Sequence, residues 1–183
     1  DTVAITGASG CGKSTLGRTI LRLLPSTSGS ILYEGENIVG YNKQQMRQMR
    51  QKMQIIFQDP YSSLNPAYTV EWAVEEPLRV FGKYDAEERK RRVHEMLRRV
   101  DVPEEVWHAK PDELSGGQQQ RVFLARALAQ EADLYFMDEP FAGVDAATEK
   151  ASISVLNELK AEGKAVLVVR HDRNTVREYF DWV

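Results

Sequence analysis

The segment TVAITGASGCGKS, at residues 2–14, is the most informative part of the sequence about the fold. Residues 2–6 form a short apolar run rich in β-branched side chains, which predicts a buried strand. Gly7 ends this strand, and we expect a helix over about residues 13–24, because Pro25 cannot continue it. A strand, a glycine-rich loop and a helix in this order predict an α/β fold organised around the loop.

The loop at residues 7–14 matches the pattern G-x-x-x-x-G-K-[ST] and has the chemistry of a phosphate-binding site. Glycine lets the backbone approach phosphate oxygens closely, while the loop N–H groups and the helix N-terminus supply positive potential. We expect Lys13 to reach the β- and γ-phosphates of a nucleotide and the Ser14 hydroxyl to bind Mg²⁺. A glycine-rich turn without a ligand is the alternative interpretation. The candidate phosphate-binding residues are Gly7, Ala8, Ser9, Gly10, Cys11, Gly12, Lys13, Ser14 and Thr15.

A second group of candidate residues lies at the end of an apolar run, where residues 134–137 are followed by Asp138 and Glu139. Asp138, at the carboxyl end of the predicted strand, is suited to hold Mg²⁺ through its water shell. Glu139 is suited to orient or deprotonate an attacking water. An apolar strand with an acidic end is also common as a purely structural feature, but the phosphate-binding loop in the same chain favours catalysis.

The rest of the chain alternates between predicted strands and helices, which indicates a parallel sheet. A mostly helical segment at residues 59–128 interrupts that alternation. We therefore expect a P-loop NTPase fold, with a RecA-like core of residues 1–58 and 129–183 and an inserted helical subdomain of residues 59–128. The other predicted strands cover residues 30–33, 53–57, 133–138 and 165–170, and the other predicted helices cover residues 70–80, 117–130 and 146–161, with one more starting at Asp85.

Composition excludes several classes of protein. The 183 residues carry a net charge of −3, which argues against a mainly nucleic-acid-binding protein. The single cysteine, Cys11, rules out an intrachain disulfide and suits a reducing compartment. The longest apolar runs are far shorter than a membrane span, and the chain opens directly on a predicted strand. We therefore expect no signal peptide and no direct membrane insertion.

The pentapeptide LSGGQ at residues 114–118 opens another predicted helix, with Ser115 as its cap and two glycines that permit close backbone approach. Together with the phosphate-binding loop, this pentapeptide resembles the signature of the ATP-binding cassette (ABC) family. The resemblance covers essentially the whole chain, with the main motifs in the order of the family.

The resemblance implies further site residues. Gln58 matches the glutamine that touches Mg²⁺ and senses the γ-phosphate, and His171 matches the histidine that contacts the γ-phosphate. Asp145 matches an aspartate at the interface of a head-to-tail dimer of two cassettes. In that dimer, ATP on one phosphate-binding loop is covered by the signature of the other chain. The signature residues in this sequence are Ser115, Gly116, Gly117 and Gln118.

The function implied by the resemblance is ATP binding and Mg²⁺-dependent ATP hydrolysis as the nucleotide-binding domain of an ABC-type importer. Its partners are then ATP, a second ABC domain and a membrane permease subunit, which the region around residues 61–68 contacts. Its location is the cytoplasmic side of the inner membrane, through the permease. The catalytic residues are Glu139, His171 and Lys13, and the metal-binding residues are Ser14, Gln58 and Asp138.

Two other functions are compatible with the same motifs. The first is a truncated or chimeric ABC domain that binds nucleotide weakly and has little or no ATPase activity. The second is an ABC ATPase of the DNA-repair type, but such proteins carry long coiled coils between their two halves. Residues 59–113 have no sustained heptad repeat, which disfavours this second alternative.

The two halves of the chain resemble different branches of the family. Residues 1–110 resemble peptide and nickel importer ATPases, and residues 115–183 resemble manganese and zinc importer ATPases, which suggests a chimera. Both ends are short compared with the family, and the aromatic residue that stacks on adenine is missing, so we expect weakened ATP affinity. Arg170 stands where the family usually has another residue type, and we expect it either to improve solubility or to disturb His171.

Overall fold

The computed structural model describes residues 2–8, 10–56, 64–140, 145–170 and 180–182. The described strands are β1 (Thr2–Thr6), β2 (Leu32–Tyr33), β3 (Glu36–Asn37), β4 (Met53–Ile56), β5 (Leu134–Asp138) and β6 (Ala165–Arg170). The described α-helices are α1 (Lys13–Ile20), α2 (Lys43–Lys52), α3 (Val70–Phe81), α4 (Ala86–Arg99), α5 (Gly116–Leu128) and α6 (Ala146–Ala161). Within these ranges, none of the helices is both long enough and apolar enough to pass through a lipid bilayer.

The main sheet has the strand order β1-β6-β5-β4, and all three strand pairs are parallel. The predicted α/β class with a parallel sheet is therefore confirmed. The short strands β2 and β3 form a separate antiparallel pair. Because the carboxyl ends of parallel strands meet at one edge of a sheet, the loop after β1 and the acidic residues at the end of β5 lie at the same edge.

Both faces of the sheet are covered, as a parallel sheet requires. On one face, Phe136 packs in an apolar cluster with residues from α2, such as Met46. On the other face, the neighbouring residues Tyr135 and Met137 pack with the core of α3 to α6. Neighbouring side chains of a strand point to opposite faces, so the continuous apolar run of β5 fits burial on both sides.

Helix α1 lies so close to β5 that only glycine fits at its fifth residue. A Cβ atom on Gly17 would lie 1.8 Å from Cζ of Phe136, and Phe136 has no exposed surface. This contact holds the helix that follows the phosphate-binding loop directly against the strand that ends in Asp138.

Helix α1 ends at Ile20, so the prediction that it continues to residue 24 is wrong. Arg22 adopts a left-handed conformation, with φ of 54°. The amides of Arg22 and Leu23 donate to the carbonyls of Thr19 and Arg18, at 3.0 and 2.8 Å. This paired arrangement closes the C-terminus of a helix before any proline is needed.

The sequence predicts no helix over residues 43–52, where the structure has α2. Asn42 caps α2 through a bond from the amide of Gln45, and the Gln45 side chain accepts a bond from the amide of Asn42. This capping box was the available signal. The charged and polar composition of α2, which buries only Met46 and Met49, hides the helix from an argument based on apolar periodicity.

Helices α3, α4 and α5 pack together in one apolar cluster. Pro77 lies inside α3 and does not end it. The predicted buried face of α4 is confirmed, because Val93, Met96, Leu97 and Val100 are all buried. The division of the chain into a core and an inserted subdomain at residues 59–128 stays a prediction.

Candidate nucleotide-binding site

The loop between β1 and α1 depends on glycine at two positions. Gly10 and Gly12 have φ of 76° and 96°, in the left-handed region that most side chains avoid. Gly12 is the N-cap of α1 and has no side chain with which to bond the amides of the first helical turn. The loop thus leads into α1 at a helix start without a side-chain cap, and the N-terminus of a helix favours an anion.

The Lys13 side chain folds back over the loop. It is only 7 % exposed, and its Nζ atom donates to the carbonyl oxygens of Gly7 and Ala8 at 3.0 and 2.8 Å. At Gly7, a Cβ atom would lie 2.8 Å from Sγ of Cys11, so a side chain there would require the Cys11 side chain to move. The ammonium group is therefore held at the loop, as a phosphate-binding lysine requires.

A direct hydrogen bond connects the two motifs that the sequence singled out. The Ser14 hydroxyl donates to Oδ1 of Asp138 at 2.8 Å, across 124 residues of sequence. Ser14 lies in the first turn of α1, and Asp138 is the last residue of β5 and only 2 % exposed. A hydroxyl and a carboxylate oxygen are oxygen ligands of the kind that Mg²⁺ prefers, so this donor set fits the ion.

Glu139 begins a turn just beyond β5. Its φ of 52° lies in the left-handed region, which costs about 1–3 kcal/mol for a residue with a side chain. Its amide donates to the carbonyl of Val169 in β6 at 3.1 Å, and its Oε1 atom is shielded from solvent. Backbone strain of this kind is frequent at functional sites, where surrounding contacts maintain it.

The signature residues form the N-terminus of α5. Ser115 caps the helix by accepting from the amide of Gln118 at 3.3 Å, while the Gln118 side chain accepts from the amide of Ser115 at 2.9 Å. A Cβ atom on Gly117 would lie 2.6 Å from Oγ1 of Thr148 and 3.0 Å from Oδ2 of Asp145. Packing within this chain therefore already requires glycine at position 117, in addition to any contact with phosphate.

Asp145 is the N-cap of α6. Its carboxylate accepts from the amide and from the hydroxyl of Thr148, at 2.8 and 3.0 Å. Because Gly117 packs against these same two residues, the structure brings together the signature and the aspartate expected at the dimer interface.

Other predicted site residues have the following positions. Thr15 and Cys11 are exposed. Ser9, Gln58 and His171 lie outside the described residues, as does part of the predicted permease-contacting region.

Arg170 pairs with a carboxylate of α6, and both effects expected of it, on solubility and on His171, stay predictions. Its side chain is only 11 % exposed and donates to Oε1 of Glu149 in α6 at 3.3 Å.

One polar contact at the site was missed. The Gln120 side chain in α5 donates to the carbonyl of Pro140, the residue that follows Glu139. Gln120 is one of three consecutive glutamines, of which Gln119 and Gln120 are buried, and sequence alone does not tell which of them contacts Pro140.

Comparison with known proteins agrees with this geometry. The family model described as "ABC transporter" matches residues 1–142. The manganese transport system ATP-binding protein MntB of Bacillus subtilis is 45 % identical over 185 residues, covering 99 % of this chain and 70 % of that protein. A probable peptide ABC transporter ATP-binding protein, y4tS of Sinorhizobium fredii, is 40 % identical over 173 residues, covering 94 % of this chain and 49 % of that protein.

Both manganese and peptide transport proteins thus match along nearly the whole chain, and the proposed chimera of two branches stays a prediction. The chain spans about half to three fifths of the length of the first curated relatives, 49 %, 56 % and 60 %.

Among solved structures, the dimeric post-hydrolysis state of the ATP-binding cassette MJ0796, bound to ADP and Pi, superposes with a TM-score of 0.89 at 34 % identity. The match covers 100 % of this chain and 81 % of that chain. From the match over residues 1–142, the identity to these relatives and the shared fold, the chain belongs to the ABC transporter family.

Proposed function

We propose that this chain binds ATP with Mg²⁺ and hydrolyses it, as the nucleotide-binding domain of an ABC-type importer. The hydrogen bond between Ser14 and Asp138, next to the buried ammonium of Lys13, carries the proposal. It joins a phosphate-binding loop to an acidic strand end, which is the combination that phosphoryl transfer from a nucleotide needs.

Binding of ATP uses the loop first. The amides of residues 7–15 and the ammonium of Lys13 donate hydrogen bonds to the phosphate oxygens, and Lys13 exchanges its bonds to the Gly7 and Ala8 carbonyls for bonds to phosphate. Ser14 and Asp138, together with Gln58, hold Mg²⁺. When bound, the ion supplies positive charge that offsets the charge developing on the phosphate oxygens.

Hydrolysis then depends on Glu139. Its carboxylate accepts a hydrogen bond from the attacking water and takes a proton from that water. At the same time the water oxygen bonds to the γ-phosphorus, and the bond between the γ-phosphorus and the bridging β-phosphate oxygen breaks. His171 steadies the γ-phosphate by a hydrogen bond. The products are ADP and inorganic phosphate.

The proposed partners are a second ABC domain and a membrane permease. The MJ0796 cassette is dimeric, which supports a dimer here. In the proposed dimer of this chain, Asp145 lies at the interface between the two copies. The signature residues of one copy cover ATP bound to the other copy: Ser115, Gly116, Gly117 and Gln118. The peptide, manganese and nickel transport names of relatives support an importer, acting at the cytoplasmic face of the inner membrane through its permease.

Phosphate release at several protein concentrations tests this proposal. We expect the rate per chain to rise with protein concentration, because two chains form each complete site, and to disappear in Glu139→Gln. Asp133→Asn serves as the control, since Asp133 is an acidic residue at the opposite end of β5. Absence of Mg²⁺-dependent phosphate release at every concentration, or full activity in Glu139→Gln, would contradict the proposal.

A further inference from the structure

The turn at Glu139 and Pro140 is held from two directions. From the sheet, the Val169 carbonyl in β6 accepts the Glu139 amide at 3.1 Å. From the helical side, Nε2 of Gln120 in α5 donates to the Pro140 carbonyl at 2.9 Å. These two bonds act on adjacent residues, one of which has the strained φ of 52°. A strained backbone conformation persists only when surrounding contacts enforce it. Both bonds therefore help to fix the backbone position from which the Glu139 side chain extends.

Gln120 is buried, so its side-chain amide needs a hydrogen-bond partner within the protein. It is only 6 % exposed, although glutamine is usually a surface residue. A buried amide without partners is costly, and so is a buried carbonyl, so the bond between Gln120 and Pro140 satisfies both groups at once.

The same end of α5 also contacts the chain on the other side of this turn. Gly117 lies three residues before Gln120, on the same side of the helix, and packs against Thr148 and Asp145 at the start of α6. The first turns of α5 therefore contact both Pro140 and Asp145.

We propose that Gln120 is a positioning residue for Glu139. Its side-chain amide keeps the Glu139–Pro140 turn in the conformation that places the Glu139 carboxylate for catalysis, and it couples that turn to the signature helix. This inference rests on the proposed function, because it assigns Gln120 a role in the step that Glu139 performs.

If Gln120 positions Glu139, replacing Gln120 should change the rate of turnover and not the affinity for ATP. Gln120 contacts neither the phosphate-binding loop nor the proposed Mg²⁺ ligands in the described contacts; its bond goes to Pro140. Removing the bond lets the turn shift, and a displacement of about 1 Å at a catalytic group can cost about 100-fold in rate.

The test compares Gln120→Met with Gln130→Met in the full chain. Both variants remove a buried amide of the same type, since Gln130 is 9 % exposed and its Nε2 donates to Oε1 of Gln54 at 2.7 Å. Gln130 follows α5 at its far end, away from Glu139. If Gln120→Met does not fold, Gln120→Glu keeps the side-chain size and, when ionised, removes the donor.

Two readouts are measured. We expect Gln120→Met to lower kcat about 10- to 100-fold with KM for ATP changed by less than about twofold, and Gln130→Met to leave both near the wild-type values. Hydrogen exchange reports the turn itself, and we expect the Glu139 amide to exchange at least about tenfold faster in Gln120→Met but not in Gln130→Met.

A kcat in Gln120→Met equal to that of the control, or an unchanged exchange rate at Glu139, would overturn the inference. If the wild-type chain releases no phosphate, the proposed function fails on its own, and the exchange rates alone then decide whether Gln120 holds the turn.

Discussion

Two glycine-rich helix N-termini in this chain differ in whether a side chain caps the amides of the first turn. At α1 the N-cap is Gly12, in a left-handed conformation and without a side chain to bond the first turn. At α5 the N-cap is Ser115, which forms a complete capping box with Gln118. Both sequences match motifs associated with phosphate, yet only the first leaves its helix start without a capping box of its own.

The two helices therefore contribute to a nucleotide site in different ways. The start of α1 lies beside the buried ammonium of Lys13 and the pair formed by Ser14 and Asp138, so its surroundings within one chain are those of a phosphate and Mg²⁺ site. The start of α5 is closed by its own capping box and packs through Gly117 against Thr148. It therefore suits the proposed role of a preformed surface that covers ATP held by another chain.

The largest effect is expected when Lys13 is replaced, because this removes the charge from the α1 site. Each charge-assisted hydrogen bond contributes about 1.5–3 kcal/mol, so Lys13→Met should weaken ATP binding about 10- to 100-fold. Calorimetric titration measures this change. Lys164→Met, which removes a lysine paired with Asp133, should leave ATP affinity unchanged. Equal affinities in the two variants would mean that the loop is not the binding site.

An intermediate effect is expected from Gly117→Ala in α5. Alanine is the better helix former by about 1 kcal/mol, but here its Cβ atom would lie 2.6 Å from Oγ1 of Thr148. Overpacking of this kind costs about 1–3 kcal/mol, so we expect a net loss in the free energy of unfolding. Urea denaturation measures it.

Gly40→Ala is the matched control, because the Cβ atom there would meet nothing within 4 Å. A Gly117→Ala protein at least as stable as this control would show that the packing at Thr148 does not constrain the signature.

The smallest effect on ATP affinity is expected from Ser115→Ala, which removes the cap of α5. Loss of an N-cap serine costs about 0.5–2 kcal/mol of stability. Because the proposed ATP site of the same chain is built on α1, ATP affinity measured at protein concentrations too low for dimers should not change. Ser14→Ala should do the reverse, lowering Mg²⁺-ATP affinity through the loss of an ion ligand. A Ser115→Ala chain that binds ATP more weakly under these conditions would contradict the proposed division of roles between the two helices.

Local sequence predicted much of this arrangement. The apolar run of β1, the glycines after it and the acidic end of β5 are read directly from neighbouring residues. The pairing of Ser14 with Asp138 could be anticipated despite a sequence separation of 124 residues, because each residue belongs to a recognisable motif.

The features that the sequence did not predict depend on packing, or on backbone conformations that no single residue type signals. The end of α1 is set by a left-handed arginine, Arg22, where glycine is the usual signal. The contact of Gln120 with Pro140 and the fit of Gly117 against Thr148 require knowledge of how α5 lies on the chain around Glu139.

Calorimetric titration of the dilute full chain with ATP, with and without Mg²⁺, measures whether one chain forms a nucleotide and ion site. We expect one ATP per chain, bound more tightly with Mg²⁺ than without it, and loss of the Mg²⁺ effect in Ser14→Ala. Absence of binding at millimolar ATP, or an affinity that does not depend on Mg²⁺, would contradict this expectation.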